Sequence, residues 1–449
     1  MHYYIGHLRQ WFLLLTALLP SLWATAQFAS DSTAQVQNEL TVDLQFYARG
    51  ESRYGGIPAS EDDDSESQSV GKSNFIQGRV RLPINYKRDW LEARVTPQHS
   101  GVWGQEGKGS FNLYESWAKL TARCGLFAQV GRVALSYDDE RIIGSDNWAM
   151  ASQSHDVLRL GYEGHGHKAH AILAYNQNAK VLSTSSSYYV NGAQPYKTMQ
   201  VLWYHYDLPR LPLGASLLFM NIGMQNSDNA STVGTKFQQL LGSHLKFAPP
   251  HWRAEASYYH QLGHNEDGMR INAWMASAKV SFSPANYGFT LGYDYMSGDK
   301  YFAVPPQGSI GMARHEVIRG FSTVYGSHHK FYGAMDFFYV TTYVNGFTPG
   351  LQKAYLQAFY KPIPNLSLNA GYHYLATATK LEDIDRPLGN EFEIQASYSI
   401  SRDVTVSIGG SLMKGTETME KLKRSNNNNM LRWGWLSLSV NPRVFSFRF

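Results

Sequence analysis

The sequence predicts an all-β fold: a transmembrane antiparallel β-barrel of about eighteen strands, with short periplasmic turns and long extracellular loops. Three observations carry this expectation. The N-terminus reads as a secretory leader, apolar and polar residues alternate with a period of two, and short connections alternate with long ones.

Arg9 precedes the apolar run Trp11–Leu19, and Ala24-Thr25-Ala26 places small residues ahead of Gln27. A basic start, a short apolar core and a small-x-small site define a cleaved leader over residues 1–26. The apolar core is too short to cross a bilayer as a helix. Residues 27–449 contain no long uncharged apolar run, so any membrane residence requires a closed barrel. Composition agrees: aromatic residues reach 14% and charged residues only 17% of 449.

Strand-like alternation begins near residue 38 and continues to the C-terminus. In Tyr287–Tyr295 the odd positions are large and apolar or aromatic, while Gly288, Thr290, Gly292 and Asp294 fall between them. Successive side chains of a strand point to opposite faces, so one face suits lipid and the other a wet interior. The same reading applies to Ile76–Leu82, Leu91–Gln98, Trp252–Gln261, Leu366–Tyr374 and Glu391–Ile400. Short turns are expected around Asp89, Cys124, His165, Arg210, Pro249, Pro284, Pro362 and Arg402, with longer stretches between them. A barrel needs an even strand count. About nineteen candidates are visible, and Lys330–Val340 breaks the order: only one descending strand, Lys353–Tyr360, fits between the 299–328 stretch and the Pro362 turn, so 299–350 is assigned to one long extracellular or pore-folded loop.

A net charge of +4 without a dense basic block gives no reason to expect nucleic acid. The acidic run Glu61–Asp64 reads as a solvated loop tip. The single cysteine, Cys124, allows no internal disulfide and reads as a structural residue in a turn. His165, His167, His328 and His329 lack metal-site spacing and read as solvated loop histidines; no metal or cofactor is expected.

The segment Gly131-Arg132-Val133 followed by Tyr137-Asp138-Asp139-Glu140-Arg141-Ile142-Ile143-Gly144 and Trp148 resembles the signature of alginate-export-type outer-membrane porins. Leu113–Trp117, Asp156–Leu160, His329–Phe338 and Gly350-Leu351-Gln352 follow the same pattern in order. Val133 stands where that family has Gln, Asp138 where it has Gly, and Lys353 where it has an acid. The resemblance implies an eighteen-stranded channel with a charged lumen; some relatives pass anionic uronate polymers and others small solutes. Residues Gly131, Asp138, Asp139, Arg141, Gly144, Trp148 and Asp156 carry the motif, and Asp138, Asp139, Arg141 and Asp156 are expected to pin an outer loop.

A charge on the lipid face costs about 2–4 kcal/mol at the bilayer midplane, so charged strand residues are expected inside. The expected pore-lining set is Arg79, Arg81, Arg94, Lys119, Arg132, Arg159, Arg253, Lys353 and His373, with Glu92, Glu115, Glu255, Asp294, Glu391 and Glu393. Arginine suits carboxylates because its planar fork binds them through two hydrogen bonds. The functional expectation is passive diffusion of small hydrophilic, anionic or sugar-like solutes through the outer membrane. The expected partners are outer-membrane lipid and, through terminal Phe449, the barrel-assembly machinery. No nucleophile motif supports the alternative of an outer-membrane enzyme; an adhesin remains open on the long loops.

Overall fold

The computed structural model describes residues 38–55, 72–104, 109–176, 196–225, 234–299, 317–340, 348–381, 384–423 and 430–449. The expected leader, the acidic run and parts of the 299–350 loop lie outside these residues. The described strands form one closed antiparallel barrel of 18 strands. They are β1 (Glu39–Asp43 and Gln45–Tyr54), β2 (Lys72–Arg81 and Ile84–Arg88), β3 (Leu91–Val102), β4 (Ser110–Thr121), β5 (Leu126–Val133) and β6 (His155–Gly164). Next come β7 (His167–Tyr175), β8 (Thr198–Asp207), β9 (Leu213–Gln225), β10 (Thr235–Phe247), β11 (Trp252–His264) and β12 (Arg270–Phe282). The last are β13 (Tyr287–Met296), β14 (Leu351–Ile363), β15 (Leu366–Ala376), β16 (Pro387–Ser399), β17 (Val404–Gly415) and β18 (Leu431–Val440 and Arg443–Arg448).

Each strand pairs with its sequence neighbours, and β1 closes the wall by pairing with β18 in the registers Leu40↔Phe447 and Ala48↔Leu438. Asn38 N–H donates to the Phe449 carbonyl at 2.9 Å, so the terminal Phe ends in the seam. The interruptions within β1, β2 and β18 gather where prolines meet. Proline has no N–H, so Pro83 and Pro442 cannot donate to the ladder, yet their carbonyls accept from Asp43 and Leu44 at 2.9 and 3.0 Å. Lys330–Val340 does not join the barrel; it forms a 3-10 turn, His328–Lys330, and a short helix, Phe337–Val340. The expected strand parity therefore holds.

The outward face carries the large apolar residues that alternation expects, such as Leu158, Leu160, Leu202, Leu217, Leu291 and Ile394, all exposed. One outward row departs from it. Asn221 donates to Gln200 at 2.7 Å and Gln239 donates to Asn221 at 2.8 Å across paired strands. Mutual hydrogen bonds offset the cost of placing amides there.

The inward face differs between the two halves of the barrel. Ile172, Met199, Val201, Met220, Leu240 and Met275 point inward from β7–β12 and are fully buried. They pack against Leu135, Tyr137, Ile142 and Ile143 from the β5–β6 connection and Phe321, Tyr325 and Phe331 from the β13–β14 connection. On the β7–β14 side the long-loop half of the lumen is thus packed with protein, in place of the expected charged, wet wall. Stretches apolar on both faces, Val201-Leu202-Trp203-Tyr204 and Leu217-Leu218-Phe219-Met220, carried the signal: a strand buried on both sides loses its alternation.

Gly131 sits in β5 with φ +124°, and a Cβ there would lie 2.1 Å from the Ser116 carbonyl oxygen of β4. Gly131→Ala is expected to destabilise the barrel by about 1–3 kcal/mol. Heat-modifiable migration in detergent gels and the thermal midpoint check it; an unchanged midpoint counts against the backbone argument.

Candidate functional site

The β5–β6 connection, residues 134–154, does not project outward but crosses the lumen. Left-handed backbone at Asp138, Glu140, Asp146 and Ser152 supplies its turns. Arg141 is its anchor. Its Nη2 donates to Asp294 of β13 at 2.7 Å and its Nε to Asp139 at 3.0 Å, and its guanidinium lies 4.2 Å from the Phe331 ring. Only 2% of Arg141 is exposed. Burial opposes its charge, but Asp294 and Asp139 outweigh that and hold the guanidinium more firmly protonated than usual.

The 317–340 segment packs beside it. Lys353 of β14 lies 3.7 Å from Asp294 and donates to the Phe331 carbonyl, while Glu391 of β16 accepts from Met335 N–H at 2.8 Å. Gly144 N–H donates to the Tyr325 carbonyl at 2.8 Å, and a Cβ on Gly144 would meet Ser327 Oγ at 2.3 Å. Ser327 and Lys330 both donate to Glu140. Gln261 of β11 donates to the Ser322 carbonyl at 2.8 Å.

The far side of 134–154 is clamped to β1–β3. Arg79 donates to the Asn147 and Ala149 carbonyls and to Ser152 Oγ at 3.2, 3.1 and 2.7 Å. Arg81 donates to Asn147 Oδ1 at 2.9 Å and Gln98 to the Ala151 carbonyl at 3.0 Å. The Trp148 indole lies between the Arg49 guanidinium, 3.8 Å away, and the His329 imidazole, stacked at 3.9 Å. Together the two segments form a diaphragm touching nearly every part of the wall.

Several expected pore residues therefore hold the diaphragm: Arg79, Arg81, Asp294, Lys353 and Glu391 all face inward, and each binds one of the two segments. Others face the lumen toward the short-turn end. Arg94 donates to Glu115 at 3.0 Å and remains 36% exposed on its side chain. Lys119 lies over Phe127 at 4.4 Å, as Arg159 does at 5.2 Å. Glu92 pairs with Lys87 at 3.3 Å, and His373 with Glu393 at 3.1 Å. Glu255 is shared by Arg253 and Lys279.

Arg132 is a correction. In β5 the outward positions are Leu126, Ala128 and Val130, and Arg132 follows their parity while Val133 joins the interior core. It forms a two-pronged pair with Asp156 of β6, at 2.8 and 2.7 Å, on the outward face. The partner carboxylate neutralises the charge and occupies both prongs of the guanidinium. Asp156 consequently braces two strands instead of pinning the loop, whereas Asp139 and Arg141 pin it within the lumen. Asp138 accepts from Trp203 Nε1 at 3.2 Å, and burial raises its carboxyl above the usual range.

Sequence reasoning missed the cluster of buried Arg49 and Glu51 with half-buried Arg53, in which Glu51 takes Arg49 and Arg53 at 2.8 Å each. The alternation Arg49-Gly50-Glu51-Ser52-Arg53 carried that signal. It also missed Trp433 and Trp435 of β18, which flank Trp148 with ring centroids at 5.8 and 5.5 Å. Below the diaphragm, Trp148, His329, Trp433, Trp435, Gln357, Asn369, Glu393, Gln395 and Ser411 line a cavity of about 370 Å³. A larger concavity of about 1250 Å³ lies mainly among outward residues of β4–β11 such as Leu126, Leu160, Leu202 and Leu241; it belongs to the lipid face.

Asp294→Asn leaves the buried guanidinium of Arg141 undercompensated, a loss of about 3 kcal/mol. Faster hydrogen exchange across 134–154 is the expected result, and unchanged protection there sinks the anchor assignment. Acid should act in the same place. Burial lowers His328 from its ordinary 6.5 to about 4. A released segment would take up a proton below 6.5 that the packed one refuses until about 4, so packing weakens as pH falls through that window. Exchange of 317–340 should quicken between pH 6.5 and 4, and His328→Asn should flatten that dependence.

The family described as Alginate export matches residues 106–431. No curated protein matches the chain. Among solved structures it is similar to OccK5 (OpdH) of Pseudomonas aeruginosa, at 11% identity and a TM-score of 0.57, covering 91% of this chain and 98% of that one. It is similar to a BenF-like porin from Pseudomonas fluorescens Pf-5, at 12% identity and a TM-score of 0.59, covering 90% and 99%. OccK2 (OpdF) of Pseudomonas aeruginosa, solved with glucuronate, gives 13% identity and a TM-score of 0.58, covering 90% and 98%. At such identities the likeness is one of fold.

Proposed function

The chain belongs to the Alginate export family, and from that premise we propose that it is an outer-membrane channel for passive diffusion of small hydrophilic solutes bearing carboxylate or sugar-like groups. The observation that carries this reading is the diaphragm: a barrel wide enough for an aqueous interior is narrowed by two inward segments held by buried ion pairs. A constriction with defined walls selects among small solutes and resists polymers.

The walls below the diaphragm divide the work. Arg94, Lys119, Arg159, Arg253 and Lys279 present cations from β3, β4, β6, β11 and β12. Gln357, Asn369, Gln395 and Ser411 present amides and a hydroxyl from β14–β17. Cations in a pore favour anions, and amides suit hydroxyls. The glucuronate bound to OccK2 (OpdF) carries both groups. The departure at Lys353 fits a small-solute channel: its ammonium is spent on Asp294 and the Phe331 carbonyl and helps to close the outer half of the lumen.

Refolded protein from Gln27 onward should conduct steadily in a planar bilayer, and under a salt gradient its reversal potential should shift toward the anion potential. The double variant Arg94→Gln, Lys119→Gln should reduce the anion preference at least about twofold while conduction persists. Absence of conductance from correctly folded barrel overturns the channel reading.

A further inference from the structure

The cavity of about 370 Å³ beneath the diaphragm is unlike the rest of the lumen. One side is aromatic, formed by Trp148, Trp433 and Trp435; the rest mixes polar side chains with apolar ones such as Phe359 and Ile394, and carries no Arg or Lys. Its volume lies at the low end for small-ligand pockets, enough for one ring and attendant water. Ser411 of β17 lines it, is only 3% exposed, and its Oγ has no hydrogen-bond partner. A buried hydroxyl without a partner is costly, and a ligand hydroxyl would satisfy it. Glu393 accepts from His373 Nε2 behind it and from Gln357 Nε2 beside it in the cavity wall, at 3.1 and 3.3 Å. Both donors converge on Oε1 and fix the carboxylate at the cavity wall. Glu391, two residues along the same face, adds a second acid behind it.

We propose that this cavity is a subsite for a single uncharged pyranose ring, with its C–H face against Trp433 and Trp435 and its hydroxyls on Ser411, Glu393 and Gln357. This deepens, and rests on, the channel reading above. A carboxylate in lipid-shielded surroundings beside Glu393 meets like charge, so the subsite rejects uronate carboxyl groups. A sugar acid would enter only with its carboxylate turned toward the basic wall. The chemistry of the two walls is thereby sorted: cations attract the solute, and the tryptophan cavity reads the neutral part of it.

The test titrates glucose and glucuronate against the refolded full barrel in two ways: closures of single-channel current in a planar bilayer, and tryptophan fluorescence in detergent. Glucose should give saturable closures and a saturable fluorescence change, and glucuronate should bind at least about fivefold more weakly. Glu393→Gln should bring the two sugars within about twofold, and Ser411→Ala should weaken glucose about fivefold in both measurements. Should Glu393→Gln fail to fold, Ser411→Ala and the wild-type preference carry the test. Steady conductance with no response to glucose in either measurement overturns the subsite and leaves the channel standing. Glucuronate binding as tightly as glucose overturns the charge argument. A fluorescence response without conductance supports the subsite and overturns the channel reading.

Discussion

Closure of β1 against β18 is the constraint from which the rest follows. In hydrocarbon no water is available for a backbone N–H or C=O, so every strand must find two partners and the sheet can have no edge. Closure in turn gives each residue one of two environments, lipid or lumen, and side chains sort by alternation. Pro83 and Pro442 at the seam show how tightly this is managed: neither can donate to the ladder, and the carbonyl of each is still used, by Asp43 and Leu44. Arg132 and Asp156 show the limit of the sorting rule. A charge is tolerated outside when a matched carboxylate takes both prongs of the guanidinium.

Within that wall the lumen is divided by a second, independent set of forces. The Arg141 guanidinium is taken out of water only because Asp139 and Asp294 receive it, and Asp294 is shared with Lys353. Around this ionic centre sits an ordinary apolar core of Ile, Met, Leu and aromatic side chains from β7–β14 and the two inward segments. A barrel wide enough to be wet has thus acquired a protein interior over its long-loop half, while its short-turn half keeps charged and amide walls. Selectivity follows from that division. Charges buried in the diaphragm fix a shape, and those left beside open space act on solute.

The Trp148 contacts link both regions. Its ring is held between Arg49 from the wall and His329 from the 317–340 segment, and its edges meet Trp433 and Trp435 above the cavity. One side chain therefore reports the position of both inward segments to the pocket below them, which gives the family-motif tryptophan a physical role.

Much was legible in the sequence because the relevant physics is local. Period-two alternation gave strands, turn residues gave their ends, and parity rejected Lys330–Val340 as a strand; Gly131 and Gly144 stood out only as motif residues, and the structure supplied the reason that no Cβ fits there. The inward direction of Arg79, Arg81, Asp294 and Glu393 also follows from alternation alone. What each of those groups touches does not. Arg141 and Asp294 are 153 residues apart, and their pairing depends on a connection that folds into the barrel instead of away from it. The sequence by itself determined the barrel and which residues could face its interior, since lipid imposes one rule on every strand. Only the tertiary structure decided which charges are buried as anchors and which remain beside the passage, because that depends on contacts between segments brought together after the barrel closes.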